Sequence, residues 1–141
     1  MNIVFIENSE IQYNSSDRYD GKLRAGETAL INLSESLAKF GHQVTIINNC
    51  SNSEKKNKVN WINIKKIRQE KTIINCDIAI ASANAKNLNL VHANRKFVLS
   101  HSIQRFEKFL RKGQLLPFIS HKPKVIVLGK YHYKNRSIIT C

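Results

Sequence analysis

A glycine and a glutamate, Gly26 and Glu27, stand where an apolar helical pattern begins in "RAGETALINLSESLAKFGHQVTIINN" (Arg24–Asn49). A helix N-terminus has unpaired backbone N–H groups and partial positive charge, so it attracts phosphate or carboxylate. Gly26 lacks a side chain and lets a ligand come close to the backbone. Glu27 suits the helix dipole but would repel a phosphate set beside it. A dinucleotide fingerprint needs G-x-G-x-x-G in a short turn, and only Gly21 and Gly26 occur, in a long polar stretch. A glycine-assisted helix start is the plainer reading.

A second candidate is His101, at the end of the apolar run "KFVLSHS" (Lys96–Ser102). An imidazole there could hydrogen-bond a substrate hydroxyl or carry a proton. No nucleophile and acid complete a hydrolytic triad around it. His92, His121 and His132 read as surface or loop residues. A third is "SIQRFEKFLRKGQ", in which Arg105, Lys108, Arg111 and Lys112 flank Ile103, Phe106, Phe109 and Leu110. Such a face can lie on anionic lipid or be the solvated side of a core-packed helix. Glu27 and Glu35, with seven residues between them, lie more than two helical turns apart and are expected to face solvent.

The elements that must position these residues alternate. "NIVFI" (Asn2–Ile6) has the continuous apolar look of a strand buried on both faces. A long polar loop follows from Glu7 to Arg24. A helix is expected over Glu27 to Phe40, with Leu30, Leu33, Leu37 and Phe40 on its apolar face and Ala29 beside them. Gly41 suits the left-handed position past its end. "QVTIIN" (Gln43–Asn48) is the next strand. A loop over Ser51–Lys58, a strand over Val59–Ile64, a short helix after it and a strand over Asp77–Ser82 follow. "ANAKNLNLVHAN" has weak helical character. Lys96–Ser102 is a fifth strand, Ile103–Arg111 a helix and Lys124–Gly129 a sixth strand. The pattern predicts one α/β domain over 1–141, Rossmann-like and doubly wound, with a mainly parallel sheet of about six strands and flanking helices. Ligands in such folds sit beyond the C-terminal ends of the strands, so the loop after Ile6 and the turns after Leu99 and Leu128 matter most.

Composition narrows the partners. The 141 residues carry 23 basic and 10 acidic side chains, a formal charge of +13, which favours anionic partners without choosing among them. Cys50, Cys76 and Cys141 are scattered, with no zinc spacing, so reduced thiols and no metal are expected. The N-terminus lacks the basic and apolar regions of a signal peptide, and no apolar run reaches the roughly 20 residues of a spanning helix. A cytoplasmic protein, with at most peripheral contact at the inner membrane face, is expected. No aromatic stacking platform favours nucleic acid as the partner.

Ala25–Ile47, "AGETALINLSESLAKFGHQVTII", resembles the first Gly-rich loop, helix and second strand of the N-terminal domain of GT-B fold glycosyltransferases of the retaining, family 4-like group. Gly41, His42 and Val44 are the most recognisable part. "FVLSHS" resembles the strand in which that family carries a histidine, matched by His101. "VIVLG" resembles a later strand, with Gly129 and Lys130 where a serine motif is usual. Ala25 replaces the first glycine of the usual pair.

The resemblance implies an acceptor-binding domain that forms one wall of a sugar-nucleotide cleft. Gly26 and Ala25 would lie near the donor diphosphate and His101 would touch the donor sugar. Arg105 and Lys108 would be basic residues of the acceptor side or of the surface. The partners implied are a sugar nucleotide and a glycan or lipid-linked acceptor, with no metal or other cofactor. The second domain of that family, with its Glu–seven residues–Glu motif, is not in this sequence. The resemblance therefore implies a fragment or one half of a split enzyme, inactive alone. The alternative is a non-catalytic basic α/β module for nucleic acid or an anionic membrane surface.

Overall fold

The computed structural model describes residues 1–100, 110–127 and 129. Strand β1 (Asn2–Ile6) leads through a long loop, which contains a 3-10 turn at Ser15–Tyr19, into helix α1 (Ala25–Lys39) and strand β2 (Gln43–Asn48). Then come β3 (Glu54–Lys56), β4 (Val59–Asn63) and α2 (Ile64–Glu70). The second half runs β5 (Ile74–Ser82), a 3-10 segment (Ala85–Leu90), β6 (Val91–Ser100), α3 (Leu115–His121) and β7 (Lys124–Val127). Among the described residues the sheet has seven strands, in the order β3-β4-β2-β1-β5-β6-β7. Only β3 is antiparallel, against β4. The Rossmann-like α/β architecture expected from the sequence is therefore present.

The order fixes which face each crossover covers. The chain steps outward on one side, β1 to β2 to β4, and then returns to the other side of β1 for β5, β6 and β7. Right-handed crossovers moving in opposite directions must use opposite faces of the sheet. Accordingly α1 packs Leu30, Ile31 and Ala38 against Ile3, Phe5, Val44, Ile46 and Trp61. On the other face, Ile64 and Ile67 of α2 and Leu88 of the 3-10 segment pack with Val4, Ile6, Ile47, Ala79 and Val98. Strands β1 and β2 bury residues on both faces, which is why they read as continuous apolar runs.

Four expectations need correction. The apolar face of α1 is not the one the spacing suggested, because Leu33 is 46% and Phe40 82% exposed. The buried stripe is Glu27, Leu30, Ile31, Ser34, Glu35 and Ala38. Glu27 and Glu35 are thus buried, not solvent-facing, because each has an arginine partner from the preceding loop. Strands β5 and β6 begin at Ile74 and Val91, earlier than read, and "VHAN" is strand, not helix, so exposed His92 lies in β6. Cys76 and Ala79 pack in one core cluster, as do Ala93 and Val98, so the alternation breaks once in each strand and hides its start. Finally, Glu54–Lys56 pairs as an edge strand, and α3 fills a stretch with no expected element. The charged "EKK" of β3 also blunts an edge open to pairing. The helix expected over Ile103–Arg111 lies, except for its last two residues, outside the described residues.

Helix α1 ends as expected. Gly41 has φ +90°, and its N–H donates to Ala38 O. A Cβ there would meet no atom within 4 Å, so only backbone strain opposes a side chain. We expect Gly41→Ala to cost about 1–2 kcal/mol, read as a lower urea midpoint with an unchanged denaturant slope.

Candidate functional site

The two halves of the sheet part at β1 and β5, where the direction of winding reverses. A crevice opens beyond the strand ends at such a switch point. Here an open cleft of about 950 Å³ lies against Glu7–Ser9 after β1, Ala25 and Gly26 at the start of α1, Ser82 at the end of β5 with Ala83 and Asn84 after it, and Leu99 of β6. Lys112 contributes a cation to its lining. A small apolar recess of about 60 Å³ continues between α1 and the sheet, walled by Phe5, Leu30, Leu33, Ile80 and Leu99. This explains the exposure of Leu33, which lines the cleft instead of joining the core.

The helix start is more specialised than a bare N-terminus. The Glu27 carboxylate accepts from the Arg24 backbone N–H (3.1 Å), from Arg24 Nε (3.1 Å) and from Arg24 Nη2 (2.7 Å). Ser9 Oγ donates to the same oxygen at 3.2 Å. Burial pushes the Glu27 carboxyl up, but the Arg24 and backbone hydrogen bonds, the Arg24 charge and Ser9 outweigh it and hold the group below its ordinary value. Glu27 is therefore an anion placed by the chain at its own helix N-terminus. Gly26 remains on the cleft wall, and a Cβ there would meet nothing within 4 Å. Packing within the protein does not demand glycine at this point.

Glu7 behaves oppositely. It is half-buried at the end of β1, and its carboxylate accepts a hydrogen bond from Tyr13 Oη. Burial first, and then the neighbouring Glu27 charge, push its carboxyl up to about 7, against a smaller lowering by Arg24. Two carboxyl groups in one cleft thus hold different protonation states near neutrality. That separation lets one stay ionised while the other exchanges a proton. Beside them Ala83 has φ +59°, a left-handed conformation unusual for a residue with a side chain, and its N–H donates to Leu99 O at 2.8 Å.

The polar loop before α1 is tied down by a second buried carboxylate. Arg18 hydrogen-bonds and ion-pairs with Glu35, and Asn57 Nδ2 donates to Glu35 Oε1 at 2.9 Å. Burial raises the Glu35 carboxyl, and the hydrogen bonds of Asn57, Arg18 and Ser15 with the Arg18 charge more than reverse this. Tyr13 of the loop packs edge-on against Trp61, with ring centroids 5.9 Å apart, and its hydroxyl reaches Glu7. The loop so links the core to the cleft.

Ala25 and Gly26 lie on the cleft. His101, Arg105 and Lys108 lie outside the described residues, as do His132, Cys141 and, apart from Gly129, the turn after Leu128. The sequence carries no direct mark for Tyr13 or the Ser82–Asn84 turn, whereas Glu7 is signalled by its place as the first residue after an apolar N-terminal strand. Cys50 and Cys76 are buried free thiols, both pushed up by burial. Among the described residues no group of histidine, cysteine, aspartate or glutamate could hold a metal ion, and no helix is long and apolar enough to cross a membrane. Comparison with protein-family models, with curated proteins and with solved structures finds no match. The class the chain can be given is that of its fold, a Rossmann-like α/β domain.

Proposed function

We propose that the chain supplies one wall of a sugar-transfer cleft, as the acceptor-side domain of a two-domain glycosyltransferase. The observation that supports this reading best is the open cleft at the β1/β5 switch point, with a helix N-terminus on its rim and two carboxyl groups of opposite protonation tendency within it. A sugar hydroxyl needs donors and acceptors in one place. Glu7, when protonated, donates to an acceptor oxygen and, when ionised, accepts from a hydroxyl. The backbone at Ala25 and Gly26 and the Lys112 ammonium face the diphosphate side. Ionised Glu27 keeps phosphate from the first turn itself and leaves it to the cleft mouth. The opposite wall, which would hold most of the nucleotide, would come from another domain or subunit, so transfer needs that partner.

Titration of the 141-residue chain with uridine- and guanosine-diphosphate sugars, followed by amide NMR, tests the reading. Millimolar binding that shifts Gly26, Ser82 and Asn84 is expected, without measurable transfer. Shifts confined to residues away from this cleft would overturn the site. Efficient transfer by the lone chain would overturn the half-enzyme reading.

A further inference from the structure

A second concavity, which shares no lining residue with this cleft, lies on β6, β7 and the end of α3. It has a volume of about 290 Å³ and is lined by Arg95 and Lys96 of β6, by His121 and Lys122 at the end of α3, and by Lys124 of β7. The register explains the gathering. Phe97 pairs with Lys124, so the basic pair Arg95–Lys96 of one strand comes beside the first residue of the next. Lys122 turns the chain between α3 and β7 with φ +46°. Among the described residues that line the groove there is no carboxylate. Its four cations repel one another, and the C-terminal end of the short α3 offsets only part of that charge.

Two of the groups are already held in place. An ammonium can only donate, so Lys96 Nζ donates to His121 Nδ1 at 3.1 Å. The other ring nitrogen, Nε2, must then carry the hydrogen and donates to Asn89 Oδ1 at 2.6 Å. Burial and the Lys96 charge hold the imidazole below its ordinary value, so the ring stays neutral near neutral pH. Among the described residues, no carboxylate forms an ion pair with Lys96, Arg95, Lys122 or Lys124. Several donors converging on one concavity fit a multiply charged oxyanion better than a single carboxylate.

We propose that this groove is a phosphate-binding site, distinct from the switch-point cleft, in which Lys96, Lys122 and Lys124 hold a phosphate or diphosphate group and His121 positions Lys96. The lysines of β3 differ, for Lys55 and Lys56 lie along an edge strand, where charge has the plain role of preventing edge pairing.

The test uses the full chain, inorganic pyrophosphate, and vesicles of phosphatidylcholine with or without phosphatidic acid. Pyrophosphate is expected to move the His121 ring resonances and to raise the imidazole's titration midpoint, because a bound anion offsets the Lys96, Lys122, Lys124 and Arg95 charges around it. Lys122→Glu with Lys124→Glu should weaken binding at least about tenfold. Lys55→Glu with Lys56→Glu, the same change of net charge, should leave it unaltered. If only vesicles with phosphatidic acid bind, and only the first double variant abolishes this, the phosphate comes from a lipid headgroup and the site stands. Equal loss in both double variants, or no response of His121 to either probe, overturns it. Neither result bears on the switch-point cleft, which Lys122 and Lys124 do not line.

Discussion

Replacing Glu7 with glutamine should stabilise the protein at pH 8 by up to about 3 kcal/mol and remove a pH dependence that the unaltered chain shows. The folded-state carboxyl sits at about 7 against an ordinary 4.5, chiefly because it is buried and then because Glu27 is beside it. The native state therefore binds a proton that the unfolded chain has already released. The stability tied to this proton is fully present below about pH 4.5, falls through the window between, and is lost above pH 7. Glutamine keeps the shape, still accepts from Tyr13 Oη and has no charge to bury. Urea unfolding of both proteins from pH 5 to 8.5 gives the difference profile. Parallel profiles would show that Glu7 is not perturbed, and the acid–base role assigned to it in the cleft would fall with that. The same variant should also flatten any pH dependence of ligand binding at the cleft over this window.

Arg18→Met is expected to have the second large effect, a loss of about 2–3 kcal/mol at pH 7. It leaves the Glu35 carboxylate, with 7% of its side chain exposed, with Asn57 and without its cation. The loss sits below the upper range for buried pairs because the Arg18 side chain keeps 25% of its surface in water. The sign with pH is opposite to that of Glu7. Glu35 is held below its ordinary value, so its contribution is present above that value and disappears as pH falls through the folded one. Arg18→Met should thus matter at pH 7 and fade at acid pH. Arg18→Met with Glu35→Leu should recover much of the loss, since a packed apolar pair has no charge to desolvate. An additive double variant would mean that the pair is not coupled. Since the Arg18–Glu35 pair ties down the loop that places Tyr13 on Glu7, Arg18→Met should also lower the Glu7 titration midpoint as the loosened loop lets water reach that carboxyl.

By itself the sequence determined the alternation of elements, and with it the fold class. Buried parallel strands write their position in unbroken apolar runs, as in "NIVFI" and "QVTIIN", and Gly41 marks a helix end that needs positive φ. It also placed Gly26 at a helix start beyond a strand end, where α/β folds keep their crevices. Only the tertiary structure decided which face of α1 is core. Local spacing counts Leu33 as apolar and Glu35 as polar, but whether each is buried depends on distant residues. Arg18 and Asn57 make a buried carboxylate tolerable, and the switch-point cleft keeps Leu33 out of the core. The starts of β5 and β6 were hidden for a related reason: their alternation breaks where the strands extend past β1, and pairing with each other holds them in the sheet. Protonation was equally invisible, because Glu7 and Glu27 are the same residue type. Burial and then the Glu27 charge raise one, the arginine at the helix start lowers the other, and long-range packing sets both environments.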